Sequence, residues 1–299
     1  MSSIIRIFLT PVSQSWIRLL SEKFLVIFQL LRFEKPLAAG VITLVGVHLG
    51  SNPSLVLSPS ALRAALTICM IDAFSFAVND LNDAIADKVN SPKRPIPSGR
   101  ISKQTVVLIA FLLGVGGLAV AATLGTKLFL FALLLVTTSI LYSYWLKGTV
   151  LFGNALIALM IASILIYGAM VGGQVTSGVL MAIGLTFFFV FSQEILVTIR
   201  DENGDRTAGV RTIAVLFGGS RSLIVFRTIA LLAGGLSILP PIFGLASLPY
   251  FVAAITCIAL PIITMVWITR SLSNDAICRA IVTMRYISII SLLPILLLR

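Results

Sequence analysis

The sequence predicts an all-α membrane protein, and three observations carry that prediction. Only 11% of the 299 residues are charged, while 58% are hydrophobic; a soluble domain carries about 25% charge. Long apolar runs recur, separated by short polar gaps. In lipid the backbone must satisfy its own hydrogen bonds, so such runs read as spanning helices rather than open strands. Basic residues also gather in alternate gaps, the bias that orients a multi-pass chain.

With about 20 mainly apolar residues per span, nine transmembrane helices are expected. They lie near 31–50, 61–85, 104–124, 127–146, 150–171, 177–200, 222–243, 248–269 and 280–298. Residues 1–30 mix Ile4, Ile5, Phe8, Leu9, Trp16, Leu19 and Leu20 with Arg6, Arg18, Glu22 and Lys23. That pattern predicts an amphipathic segment lying on the membrane surface, not a secretory signal. No linker or low-complexity tract divides residues 31–299, so they are expected to form one bundle.

A cytoplasmic N-terminus places Arg32, Lys35, Lys88, Lys93, Arg94, Arg100, Lys103 and Lys147 inside. It does the same for the arginines after the sixth span and around the last turn. Arg63, Lys127 and Arg299 then fall outside, with the C-terminus on the opposite side. The net charge of +11 is thereby a matter of topology and anionic membrane lipid, and no nucleic-acid partner is expected. Cys69, Cys257 and Cys278 have no ligand spacing and read as packing residues. His48 reads as a helix-end or packing histidine.

Eight of the eleven acidic residues fall in two clusters: Asp72, Asp80, Asp83 and Asp87, then Glu194, Asp201, Glu202 and Asp205. Carboxylates within or beside a membrane are costly and mark function. Residues three or four apart share a helix face. Asp72, Phe76, Asn79, Asp80, Asp83 and Asp87 therefore form one stripe, and Glu194, Thr198, Asp201 and Asp205 a second. Facing stripes of like charge repel unless a cation lies between them. Oxygen-only donors suit Mg²⁺, which takes a few carboxylates plus phosphate and water. Asn79, Asp83, Asp87, Asp201 and Asp205 are the expected metal ligands.

Fixed positive charge for a diphosphate is expected from Lys93 and Arg94 in a proline-rich lid, and from Lys147 beside Tyr142 and Tyr144. Arg206 and Arg211 follow the second cluster. The chemistry implied is metal-assisted departure of diphosphate from an isoprenyl diphosphate, in an apolar cavity that keeps water from the allylic cation. Among Phe74, Phe76, Phe187, Phe188, Phe189 and Phe191, Phe76 shares the acidic face and is the favoured cation–π partner.

At these residues the chain resembles the UbiA superfamily of intramembrane prenyltransferases, from about Arg32 to the C-terminus. Asn79-Asp80-x-x-Asp83-x-x-x-Asp87 matches the first family motif, and Arg94-Pro-Ile-Pro-Ser-Gly follows it. Asp201-Glu-Asn-Gly204-Asp205 matches the second, continuing through Gly209 and Thr212. The resemblance implies nine helices around a central cavity with a cytoplasmic cap, and Mg²⁺-diphosphate held by both motifs. The family's Tyr/Lys feature would fall on Tyr142 or Tyr144 and Lys147. Arg32-Phe-Glu-Lys-Pro36 is similar to the start of the 4-hydroxybenzoate branch. Val197-Thr198 replaces a common Lys-Asp, and Asp72 is an additional acid two turns before Asn79. Asp72 reads either as a packing residue or as an acceptor contact or base.

The leading expectation is prenyl transfer to a small lipophilic, aromatic or quinone-precursor acceptor. Alternatives are a terpene cyclase of the same family, and transfer to a glycerol-phosphate lipid or a tetrapyrrole. An ion-coupled transporter is the non-enzyme alternative. Coupling acids in transporters sit near the bilayer midplane beside broken helices, whereas most acids here gather at one end.

Overall fold

The computed structural model describes residues 22–298. Every regular element among them is helical. In chain order they are α1 (Glu34–Leu49), α2 (Pro59–Asn82), α3 (Ala84–Asn90) and α4 (Lys103–Ala122), then α5 (Thr126–Leu146), α6 (Phe152–Val171) and α7 (Ser177–Arg200). The short α8 (Glu202–Thr207) follows. The chain ends with α9 (Ile213–Ser237), α10 (Leu248–Ile268) and α11 (Asn274–Ile295). Side-chain hydroxyls fix several helix starts: Ser58, Ser102, Thr176, Thr212 and Ser273 each accept from a backbone N–H three residues on. This satisfies a donor that would otherwise be orphaned.

Eight helices are long and apolar enough to cross a membrane: α2, α4, α5, α6, α7, α9, α10 and α11. The first predicted span is present as α1, which has only 16 residues. It is short because the chain turns at Arg32, where φ is 48°. Residues 22–31 form a separate helix before that turn. Of the predicted surface segment, residues 1–21 lie outside the described residues. Large apolar side chains such as Phe111, Leu134, Leu180 and Trp267 point outward and are exposed. Together with the number of apolar helices, they fit a multi-pass membrane protein whose outer solvent is lipid.

Two large apolar cores build most of the bundle, with a third where Val45 and Leu49 of α1 and Leu165 of α6 meet Val179 of α7 and Tyr250 of α10. One holds Ile68, Ile71 and Phe74 of α2 against Val106 of α4, Leu135 of α5 and Ile164 of α6. The other holds Ile195 and Leu196 of α7 against Phe226 of α9, Ile262 of α10 and Ile281 of α11. α6 contributes to both, through Ile164 and Ala158. Phe74, an expected cavity aromatic, is instead buried in the first core, against Gly114 of α4.

α1 and α6 approach backbone to backbone through Gly46 and Gly50 on one helix and Gly168 and Gly172 on the other. A Cβ at Gly168 would meet the Thr43 carbonyl oxygen, and one at Gly46 the Leu165 carbonyl oxygen. Small residues at such spacing permit close helix contact where lipid supplies no hydrophobic drive. The seam fixes α1, the helix that carries Lys35. Gly168→Val is expected to destabilise the bundle by about 1–3 kcal/mol, the usual cost of overpacking. A thermal unfolding midpoint in detergent equal to the wild type's would contradict the seam.

Candidate active site

The two acid motifs do not lie on continuous helices. α2 ends at Asn82, and Asp83 leaves helical geometry at φ −80°, ψ 2°, before α3 begins. α7 ends at Arg200, and Asp201 does the same at φ −92°, ψ 5°, before α8. Each motif therefore has one aspartate at a helix break and another a turn later. Asp87 N–H donates to the Asp83 carbonyl at 2.8 Å, and Asp205 N–H to the Asp201 carbonyl at 3.0 Å. The second predicted span thus stops three residues short of 85, because the motif itself bends the chain.

Asn90 holds the two breaks together. Its Nδ2 donates to the Asp201 carbonyl at 2.9 Å, and its Oδ1 accepts from the Gly204 N–H at 2.9 Å. Gly204 is required at this position. A Cβ there would run into the Asn90 side chain and the Ala86 carbonyl oxygen. The glycine of the second motif is thus a docking surface for the first.

Around this clip lies a cavity of about 570 Å³. Asn79, Asp83, Asp87, Asp201 and Asp205 line one end of it, with Arg32, Arg94, Tyr142, Lys147 and Arg200. Asp72, Phe76 and Glu194 line it further along. The remaining wall is largely apolar, including Ile42, Ile161, Leu185, Phe189 and Leu292. Phe187, Phe188 and Phe191 pack on one another at the edge of the second core instead.

Four of the five motif aspartates, Asp80, Asp83, Asp87 and Asp201, are paired with basic side chains. Arg94 Nη1 donates to both oxygens of Asp87, at 2.7 and 2.6 Å. Lys147 Nζ lies 2.5 Å from Asp83 Oδ1, and Asn79 Nδ2 donates to Asp83 Oδ2 at 2.6 Å. Arg200 grips Asp201 through Nε and Nη2 at 2.7 and 2.6 Å. Arg32 Nη2 lies 2.5 Å from Asp80 Oδ1, with Arg94 Nη1 at 3.6 Å. Burial pushes the Asp87 carboxyl upward against the opposing pull of Arg94. The Asp205 carboxyl is pushed up to about 6, chiefly by burial, with Asp201 adding to the rise and Lys147 opposing it.

These pairings alter one expectation. Like-charge repulsion is already much reduced without a metal, because Arg32, Arg94, Lys147 and Arg200 pair four of the five motif aspartates, while Asp205 has no basic partner within 4.0 Å among the described residues. Among the described residues, no three acids, histidines or cysteines gather as a cage for an ion. The chemistry of the donor set still suits Mg²⁺: the donors are all oxygens, and this ion needs only one or two carboxylates beside phosphate and water.

Other expected residues are set apart. Asp80 is buried behind Arg32 and Arg94 and does not line the cavity. Tyr144 is exposed while Tyr142 faces inward. Residues two apart lie on nearly opposite sides of a helix, so the pair could not both face in. Lys93 lines a separate surface groove with Arg100. Arg206 pairs with Glu202 at 2.7 Å on the outer side of α8, and Arg211 is exposed in the turn before α9. Thr198 lines the cavity, its hydroxyl donating to the Ile195 carbonyl at 2.8 Å.

Sequence reasoning missed Asn90, Arg200, Lys35 and Arg285 as cavity residues. Lys35 had a signal in its Arg-x-x-Lys-Pro setting. Its ammonium lies 5.0 Å from the Phe76 ring centroid, and the Arg32 guanidinium 4.7 Å. Tyr142–Leu146 form a π turn closed by Lys147 N–H to the Tyr142 carbonyl at 2.9 Å. Such turns re-aim side chains at functional sites, and here Lys147 meets Asp83.

A helical bundle enclosing a cavity with both acid motifs at one end and a largely apolar wall beyond them defines a class of helical membrane protein with an internal charged site. The UbiA prenyltransferase family profile matches residues 39–289. The chain belongs to the UbiA prenyltransferase family and is a prenyltransferase. It is 38% identical over 189 residues to a digeranylgeranylglyceryl phosphate synthase of Korarchaeum cryptofilum, covering 63% of this chain and 67% of that one. With the enzyme of the same name from Halobacterium salinarum it shares 34% over 227 residues, 75% and 81% of the two chains. The fold is similar to a UbiA homolog from Archaeoglobus fulgidus bound to GPP and Mg²⁺, with a TM-score of 0.66 and 20% identity over 90% of this chain and 99% of that one. It is similar as well to an apo UbiA homolog from Aeropyrum pernix, with a TM-score of 0.70 and 20% identity over 87% and 98%.

Asn90→Ala removes both hydrogen bonds of the clip; the Asp201 carbonyl keeps the Asp205 N–H, but the Gly204 N–H loses its Asn90 acceptor, at about 1–3 kcal/mol. Turnover is expected to fall at least about tenfold, and Gly204→Ala to do the same. Wild-type turnover in both variants would show that the clip does not position the motifs.

Proposed function

We propose that the protein transfers a prenyl group from an isoprenyl diphosphate to a glycerol-phosphate lipid within the membrane. The observation that carries the donor half is the convergence of both acid motifs on one end of a cavity whose remaining wall is largely apolar. The diphosphate would lie at that end and the prenyl chain along the apolar wall. The acceptor half is supported by relatives named as digeranylgeranylglyceryl phosphate synthases. It replaces the aromatic acceptor as the leading reading, because these relatives outweigh the short Arg32-Phe-Glu-Lys-Pro36 likeness to the 4-hydroxybenzoate branch.

Asn79, Asp83, Asp87, Asp201 and Asp205 would hold Mg²⁺, which when bound supplies neutralising charge to the diphosphate. A UbiA homolog solved with GPP and Mg²⁺ supports this. Arg94, Lys147 and Arg200 add fixed cations, and Asp80 braces Arg32 and Arg94 from behind. In the reaction the allylic C1–oxygen bond breaks, and its electron pair leaves with the diphosphate. A hydroxyl oxygen of the acceptor donates a pair to C1. Its proton passes to a cavity carboxylate, for which Asp72 is the candidate. Phe76 and Phe189 keep the reacting carbon among apolar and aromatic walls.

The decisive assay gives purified enzyme geranylgeranyl diphosphate and geranylgeranylglyceryl phosphate, then measures diphosphate release and the doubly prenylated product. Both are expected in the wild type. Both should be lost in Asp83→Ala, in Asp201→Ala and in excess chelator, with each variant still eluting as folded protein. Release without product would favour cyclisation or another acceptor. Full activity in chelator would remove the metal.

We also propose that the acid motifs face the cytoplasm, on the strength of the basic-residue bias. In a background lacking Cys69, Cys257 and Cys278, a cysteine replacing Pro92 or Asn203 should react with an impermeant thiol reagent only after the membrane is opened. Labelling from outside intact cells would reverse the topology.

A further inference from the structure

Six basic side chains line the cavity: Arg32, Lys35, Arg94, Lys147, Arg200 and Arg285. Four have a carboxylate within 4.0 Å, namely Arg32 with Asp80, Arg94 with Asp87, Lys147 with Asp83 and Arg200 with Asp201. Among the described residues, Lys35 and Arg285 have none. Lys35 is half-buried and Arg285 exposed, and an ionisable side chain left unpaired within a membrane bundle by default marks a functional site.

The two also lie apart from the motif end. Arg285 is roughly 16 Å along α11 from its start at Asn274, at about 1.5 Å per residue. Lys35 stands over Phe76, one turn from Asp72 on α2. Arg32, Asp72, Glu194 and Arg285 line the same cavity as Lys35. The cavity lining therefore contains a second charged tier apart from the ion pairs of the two motifs, with two cations, Lys35 and Arg285, and two carboxylates, Asp72 and Glu194.

We infer that this tier is an anion subsite, in which Arg285 and Lys35 take the phosphate monoester of the lipid acceptor. The inference rests on the acceptor class proposed above and gives that acceptor its place. A glycerol phosphate carries a dianion and a hydroxyl a few bonds apart, so its site needs cations and a proton acceptor side by side. Arg285 and Lys35 supply the first, and Asp72 and Glu194 the second. The cations at the motif end are committed to carboxylates and to the diphosphate, which leaves these two for the acceptor. Arg285 is exposed at the rim where α11 meets the cavity, so a lipid phosphate reaches it without crossing the diphosphate end.

The test compares wild type with Arg285→Ala and Arg285→Lys, using geranylgeranylglyceryl phosphate and its dephosphorylated alcohol as acceptors. In Arg285→Ala the KM for the phosphorylated acceptor should rise at least tenfold, while the KM for geranylgeranyl diphosphate stays within twofold. The ratio of kcat/KM for phosphorylated over dephosphorylated acceptor should fall at least tenfold, with Arg285→Lys in between. An unchanged ratio, or an equal rise in both KM values, overturns the inference. If the wild type turns over neither acceptor, the proposed acceptor class fails, and the subsite is judged by binding alone. Thermal stabilisation of the folded enzyme by geranylgeranylglyceryl phosphate that disappears in Arg285→Ala upholds it. Equal stabilisation of both proteins, or none in the wild type, overturns it.

Discussion

The pairing of desolvated carboxylates with cations at one end of the bundle is the interaction on which the rest of the structure depends. Asp80 and Asp83 on one side of the cavity, and Asp201 on the other, would be untenable without Arg32, Arg94, Lys147 and Arg200 against them. Removing one member of a buried pair leaves an uncompensated charge, at about 3–5 kcal/mol. Each pair joins different parts of the chain or opposite sides of a helix break. Arg32 ties the entry of α1 to α2, and Lys147 ties the end of α5 to the start of α3. The charges that make a diphosphate site also fasten the helices around it.

That arrangement works because the backbone is irregular where the charges sit. The breaks at Asp83 and Asp201 end two long helices and start the short helices α3 and α8. Asn90 and Gly204 then lock these two breaks to each other. The π turn at Tyr142–Leu146 re-aims Lys147, and the positive φ of Arg32 turns the chain so that its guanidinium reaches Asp80. Strained or bulged backbone at a ligand-binding end is sustained by surrounding structure that over-determines it, here the glycine seam of α1 and α6 and the two large apolar cores.

Much of the candidate site was legible in the sequence. Carboxylates are rare in so apolar a chain, and i, i+4 spacing puts Asp83 with Asp87 and Asp201 with Asp205. The misplacements share one cause. Periodicity shows which residues share a face of their own helix, but not what faces them. Asp80 belongs to the acidic stripe and yet turns to Arg32 rather than to the cavity. Tyr144, Lys93, Arg206 and Arg211 are close in sequence to true lining residues and point elsewhere. Arg285 looked like one more basic residue near a loop, because nothing in its local sequence tells that α11 closes the cavity wall.

The sequence by itself determined the helical class, the membrane setting and the two acid motifs, because composition, run length and residue spacing are properties of the chain alone. Which carboxylate meets which cation was decided by tertiary structure. So was the docking of the two motifs through Asn90 and Gly204, and the gathering of Lys35, Asp72, Glu194 and Arg285 into a second tier. Those facts depend on contacts between residues up to hundreds of positions apart. Only the packing of one helix on another fixes such contacts.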